Sequence, residues 1–239
     1  MSNKILGFVF ANICLLGVAH ADDHGSMKGT WFGAVDYSVN LDTQTSPTDA
    51  SGEGEPYAGG LVDELDTSWG VGIGYRYPNN MVAMIRYEEA DIEPNNVAVV
   101  TNDPSSPFDV TSGGGDITNV MLEGAYFMPI SPKFQLFALA GIGYADIESN
   151  PTYFGFEDGP EQVTCSESKD SVSYRLGLGG AYYLTEKNGF YAGLTHTNYG
   201  DMKLKDIDED TGLCATTEST AYDKDVQSQD LRLGFFFRF

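Results

Sequence analysis

The chain has 239 residues, with 13 basic against 35 acidic side chains and a formal net charge of -22. That length fits one domain or two small ones, and such acidity excludes nucleic-acid binding, which needs a basic stripe to displace counterions from phosphates. The 28 glycines exceed the usual share of about 7%, and 14 Tyr, 14 Phe and 2 Trp are too many for a disordered acidic chain.

Residues 1–21 read as a secretory signal peptide. Lys4 supplies the positive start, 5–18 carry no charge, and Ala19-His20-Ala21 gives a small-x-small cleavage pattern. The apolar run is short for a membrane helix. Cys14 lies inside that run behind Asn12-Ile13, not behind the small residues a lipid-attachment site prefers. Cleavage after Ala21 removes Lys4 and leaves 12 basic and 35 acidic residues, a mature net charge of -23. Beyond it the longest uncharged stretch is 188–200, thirteen residues that include Asn, Thr and His, so residues 22–239 predict no transmembrane helix.

Eight segments then alternate with period two, the mark of strands with two different faces. They cover 28–40, 68–77, 81–90, 117–128, 134–145, 171–183, 189–199 and 230–239. In the second, Trp69, Val71, Ile73, Tyr75 and Tyr77 share one face while Ser68, Gly70, Gly72, Gly74 and Arg76 share the other. In the last, Leu231, Leu233, Phe235, Phe237 and Phe239 alternate with Asp230, Arg232, Gly234, Phe236 and Arg238. Most runs are near the ~9–11 residues a tilted membrane strand needs. The seventh leaves its inward face open.

Connections alternate between tight turns (78–80, 129–132, 185–188) and long segments at 41–67, 88–116, 146–170 and 201–225. The long segments hold 7, 7, 7 and 8 acidic residues, 29 of the 35, and only four lysines: Lys169, Lys203, Lys205 and Lys224. Short turns at one end and long loops at the other predict an all-β, eight-stranded antiparallel up-and-down transmembrane β-barrel over 22–239, with short periplasmic turns and long extracellular loops. A soluble barrel shares the period. Against it stand aromatics near the strand ends (Trp31, Trp69, Tyr75, Tyr77, Tyr126, Tyr144, Tyr182, Phe239) and an opposite face of glycines and isolated charges.

The ending Arg232-Leu233-Gly234-Phe235-Phe236-Phe237-Arg238-Phe239 resembles the C-terminal signal read by the bacterial barrel assembly machinery. Its polar residue, glycine, hydrophobic residue and terminal aromatic fall on Arg232, Gly234, Phe237 and Phe239. The opening 29–34 is similar to the first strand of small outer-membrane barrels of the OmpA-like or opacity-protein type. The resemblance implies an eight-stranded outer-membrane barrel of Gram-negative bacteria, with outer-membrane lipid, lipopolysaccharide and the assembly machinery as partners; it names no host or surface ligand.

Eight strands leave an interior just wide enough for side chains. Taking the glycine-bearing face as inward puts Asp36, Arg76, Arg86, Glu123, Arg175, Asp230 and Arg232 in the lumen. Arg86 and Glu123 are expected to meet, as are Asp36 and Arg232, because a buried charge needs a partner. The expectation is a polar plug, with a narrow gated ion path as its alternative. Cys165 and Cys214 form an even pair for an oxidising compartment and are expected to be disulfide-bonded.

Catalysis is not expected. Only His24 and His196 survive processing, and His196 is followed by Thr197-Asn198, without the His-x-Ser arrangement of the lipid A deacylases. None of the glycine clusters completes G-x-G-x-x-G at a strand-to-helix turn. The run 206–212 departs from a calcium loop, its glycine being one position late and Thr217 standing where a bidentate Glu belongs. Asp22-Asp23-His24 at a new terminus has the donors of a copper or nickel site, with coincidence the preferred account. No cofactor or metal is assigned. The expected role is a non-catalytic surface protein presenting acidic loops for adhesion, interaction or envelope integrity. The alternative is a narrow channel for ions or small solutes, and a lipid A-modifying enzyme is the less favoured third reading.

Overall fold

A computed structural model describes residues 29–47, 64–93, 109–154, 162–204, 207–208, 213–214 and 222–239. The signal segment 1–21, the Asp22-Asp23-His24 terminus and many of the loop acids lie outside the described residues.

Eleven strands follow in chain order. They are β1 (Thr30–Pro47), β2 (Glu64–Arg76), β3 (Met81–Glu93), β4 (Asp109–Pro129), β5 (Phe134–Phe154), β6 (Gln162–Thr164), β7 (Glu167–Tyr183), β8 (Asn188–Leu204), β9 (Ile207–Asp208), β10 (Leu213–Cys214) and β11 (Tyr222–Arg238). Eight of them pair antiparallel in the cyclic order β1-β2-β3-β4-β5-β7-β8-β11, and β11 returns to β1 to close the barrel. β6 adds to the end of β5, and β9 and β10 form a separate small ladder.

The strands outrun the expected segments. β4 and β5 are 21 residues long, against the ~9–11 a tilted strand needs to cross. The four long segments are therefore partly strand: 41–47 and 64–67, 88–93 and 109–116, 146–154 and 167–170, and 201–204 and 222–225 continue the barrel wall above the membrane. The outward face marks the boundary by composition. On β7 it reads Tyr182, Leu178, Leu176, Tyr174 and Val172, all exposed, and then Asp170; on β5, Ile142 and Tyr144 give way to Asp146 and Glu148. A surface of exposed Leu, Ile and Val this extensive is stable only against lipid.

Inward side chains fall on the opposite parity, and a bulge keeps them there where the wall bends. Val226 pairs with Gly200 but Gln227 pairs with Asn198, so Tyr199 is the extra residue. Gly200 takes φ +91°, a conformation that suits glycine, and its amide donates to Asn198 Oδ1 at 2.8 Å. The bulge changes parity, so that both Tyr199 and Met202 point inward and are buried.

The lumen is layered. Towards the loop end Ile92, Ile117, Ala145, Ile147, Tyr199, Met202 and Val226 form an apolar cluster. Towards the turn end Ala34, Phe137, Ala181, Tyr183 and Phe236 form another, with Phe32, Met84, Phe127, Leu139 and Tyr191 packed against it. Charged side chains occupy the level between. An interior polar throughout would need far more hydrogen-bond partners than eight strands can aim inward.

Candidate functional site

Six charged side chains meet at mid-height, three of each sign. β1 contributes Asp36, β3 Arg86 and Glu88, β4 Glu123, β7 Arg175 and β11 Arg232, each at 2% side-chain exposure or less. Arg86 pairs with Asp36 and reaches Glu123 at 3.0 Å. Arg175 bridges Glu88 at 2.6 Å and Glu123 at 2.9 Å. Arg232 holds Glu88 at 2.7 Å and lies 3.6 Å from Asp36 and 3.7 Å from Glu123.

Neutral hydroxyls take up several of the remaining lone pairs and N–H groups. Tyr191 donates to Asp36 at 2.6 Å and Tyr199 to Glu88 at 2.8 Å. Arg175 Nε donates to Thr197 at 2.8 Å and Arg232 Nε to Ser38 at 3.3 Å. Among the described residues Arg232 Nη1 and Asp36 Oδ1 have no hydrogen-bond partner, so that corner is held by Coulomb attraction alone. A three-against-three balance matters because one uncompensated buried charge costs several kcal/mol.

β2 and β5 contribute glycines at this level. A Cβ on Gly70 would sit 3.1 Å from Asp36 Oδ1 and 3.2 Å from Arg86 Nη1; one on Gly141 would sit 2.9 Å from Glu123 Cγ. The large ionic side chains fit because these two strands present nothing to meet them.

Arg86 and Glu123 thus meet, and so do Asp36 and Arg232 through the longer contact. Arg175 joins the same cluster. Two expected members do not belong to it. Asp230 hydrogen-bonds Ser228 at 2.9 Å and pairs with no arginine among the described residues, because its position on β11 lies one inward step above Arg232. Arg76 sits at the turn end, too far down its strand to reach the cluster. There it donates to Tyr183 at 2.5 Å and to Asn80 at 2.7 Å and stacks 5.1 Å from the Phe127 ring centroid. Arg238 donates to the same Tyr183 oxygen at 2.7 Å.

Glu88 is the member that the expected site left out, at the overlap of the expected strand 81–90 with the long segment 88–116. Its parity with Arg86 is the available signal, hidden by the neighbouring run of acids. Tyr191 and Tyr199 lie on the strand whose inward face the alternation leaves open.

Cys165 and Cys214 are disulfide-bonded, tying the link between β6 and β7 to β10 across 49 residues of sequence. Arg232 and Gly234 face inward, while Phe239 and Phe237 stack at 5.9 Å. His196 lies beside Tyr174, ring centroids 6.4 Å apart, on the outward parity of β8. Among the described residues no three His, Cys, Asp or Glu side chains are arranged to hold a metal ion.

The family model described as outer membrane protein beta-barrel domain matches residues 9–239. No curated protein matches the chain. Among solved structures, the outer membrane protein OprG from Pseudomonas aeruginosa is 15% identical with a TM-score of 0.53, covering 91% of this chain and 99% of that one. A major outer membrane protein from Thermus thermophilus is 13% identical with a TM-score of 0.53, covering 87% and 99%. Neisserial surface protein A is 15% identical with a TM-score of 0.48, covering 88% and 99%.

Proposed function

This chain belongs to the outer membrane protein β-barrel domain family, and we propose that it is a non-conducting, non-catalytic barrel whose work is done by its acidic surface loops. The observation that carries this reading is the neutral six-membered ion cluster across the lumen, every side chain of it at 2% exposure or less. A path for ions needs mobile, hydrated charges; these are buried and neutralise one another. The wall above the membrane then serves as a rigid stem, and long loops on a rigid scaffold are where binding residues concentrate. Adhesion, surface interaction and envelope integrity are the roles such a stem supports.

Export by a signal cleaved after Ala21, delivery to the assembly machinery by the strand ending at Phe239, and contact with lipid and lipopolysaccharide through the outward belt complete the reading. Among the described residues the ring contact recorded for His196 is with Tyr174, on the outward face of β8.

Conductance in planar bilayers tests it. The mature protein is expected to show no discrete openings, and Glu123→Ala to introduce them by freeing a site in the cluster. Steady ohmic steps from the unaltered protein would instead support a channel. Replacing 48–63 or 94–108 by a short Gly-Ser linker should abolish cell binding while leaving the barrel folded.

A further inference from the structure

At the turn end, two arginines converge on one neutral oxygen. Arg76 Nη1 lies 2.5 Å and Arg238 Nη2 2.7 Å from the Tyr183 hydroxyl, which itself donates to Gln135 at 3.1 Å. The remaining contacts of the two guanidinium groups are Asn80, the carbonyl of Glu186, and the faces of Phe127 and Tyr183. Among the described residues neither arginine has a carboxylate partner. Two like charges so close, half-buried and unneutralised, favour an anion between them.

Directly above them lies a cavity of about 80 Å³. Its wall is apolar: Phe32, Val82, Met84, Phe137, Ala181 and Phe236. Its ceiling is Arg86, Glu123 and Arg232, whose charges are already matched to one another. One water needs roughly 10–15 Å³ on this measure, so the space takes a row of several methylene-sized groups and no sugar or fused ring system. The charge is at the mouth and the grease is inside.

We propose that the turn-end half of the lumen binds a single-chain amphipathic anion. Its carboxylate or phosphate head lies between Arg76 and Arg238, and its alkyl tail lies against Phe32, Phe137 and Phe236. A neutral alcohol of the same length lacks the head, a small carboxylate lacks the tail, and a two-chain lipid is too wide for the cavity.

The test uses the mature barrel in phosphatidylcholine nanodiscs and the displacement of carbon-14-labelled decanoate. Decanoate and decyl phosphate should both displace the probe, decanol about tenfold less well, given what a charge-assisted hydrogen bond contributes, and acetate not at all. Arg76→Gln with Arg238→Gln should weaken decanoate about tenfold and leave decanol unchanged, while Arg76→Lys with Arg238→Lys keeps the preference for the anion. Ala181→Phe should block both ligands by filling the cavity. Heat-modifiable gel mobility confirms that each variant is folded; should Ala181→Phe not fold, the head-group series and the arginine pairs decide alone. Equal displacement by decanol and decanoate, or unaltered decanoate binding in the double glutamine variant, overturns the proposal. So does equal displacement by dimyristoyl phosphatidic acid, which would place a bilayer lipid's headgroup at the rim and leave the lumen empty of tail.

Discussion

Tyr199 on β8 donates a 2.8 Å hydrogen bond to Glu88 on β3, and these two strands are four steps apart whichever way the eight-membered circle is counted. The contact therefore spans the barrel's full diameter. Glu88 also receives Arg175 and Arg232, so one carboxylate ties β3 to three strands, β7, β8 and β11, with which it shares no backbone ladder. The backbone closes the wall; this cluster fixes its cross-section.

Removal of that carboxylate should be costly. Glu88→Ala leaves Arg175 and Arg232 short of a partner in a dry lumen, and a loss of about 3–5 kcal/mol is expected. Tyr199→Phe removes one hydrogen bond to a charged group and should cost about 1.5–3 kcal/mol. Urea midpoints of the heat-modifiable band in lipid vesicles measure both, and equal midpoints for the unaltered protein and Glu88→Ala would refute the strut.

Two glycines on opposite faces should respond differently to alanine. At Gly143 a Cβ would lie 2.5 Å from the Val120 carbonyl and 2.7 Å from Met121 Cγ, whereas at Gly124 the nearest atoms are 3.9 and 4.0 Å away. Gly143→Ala should destabilise by about 1–3 kcal/mol, and Gly124→Ala should be neutral or stabilise by about 0.4–1 kcal/mol. The same urea titration ranks them.

Orientation of the belt has its own test. Leu178 is 67% exposed at the middle of the outward face, while Asp146 lies beyond Tyr144 on that face. Leu178→Arg should cost about 2–4 kcal/mol and Asp146→Arg about 0–1 kcal/mol. Folding yields in vesicles that were insensitive to Leu178→Arg would contradict a lipid-facing position.

Asp201 and Asp225 stand directly opposite on β8 and β11, above the membrane, with Lys169 3.3 Å from Asp201. The hydrogen bond between the two carboxyl groups lowers Asp201 and raises Asp225 relative to an ordinary aspartate, with Lys169 favouring the ionised form of both. A raised folded pKa contributes stability at low pH that disappears as pH rises through it; the lowered one contributes stability that disappears as pH falls through it. The stem is thus tightest between the two, with one proton shared. At neutral pH Asp225→Asn should slow hydrogen exchange at 201–204 and 222–226, on the scale of the ~0.2–1 kcal/mol of a facing like-charge pair. The gain should shrink on acidification towards the carboxylate range.

The Cys165–Cys214 bond closes a 49-residue separation, which on the loop-entropy model stabilises by at most about 4 kcal/mol. Unreduced mature protein should show no alkylatable thiol, and Cys165→Ser with Cys214→Ser should raise proteolysis at 154–167 and 205–222 without loss of heat-modifiability.

Strand count, closure of the first strand on the last and the Arg86–Glu123 contact are legible in the sequence because period two assigns faces and turn spacing assigns neighbours. The layering of the lumen is not. Ile92, Ile117 and Ile147 keep the inward parity but sit in or beside segments that read as acidic loop, and alternation cannot distinguish a membrane strand from its continuation into water. Arg76 shares the parity of the cluster but not its height, which only the stagger between strands sets. The β8 bulge at Tyr199 defeats any fixed period.

The seam between β1 and β11 joins the oldest strand to the newest. Without Arg232 the mid-height cluster holds three acids against two guanidinium groups, so a sheet that lacks β11 leaves one of those carboxylates short of a partner. The arrival of the final strand zips the wall and completes the balance of the cluster in a single event, and an intermediate that stalls before it keeps a buried carboxylate without its guanidinium.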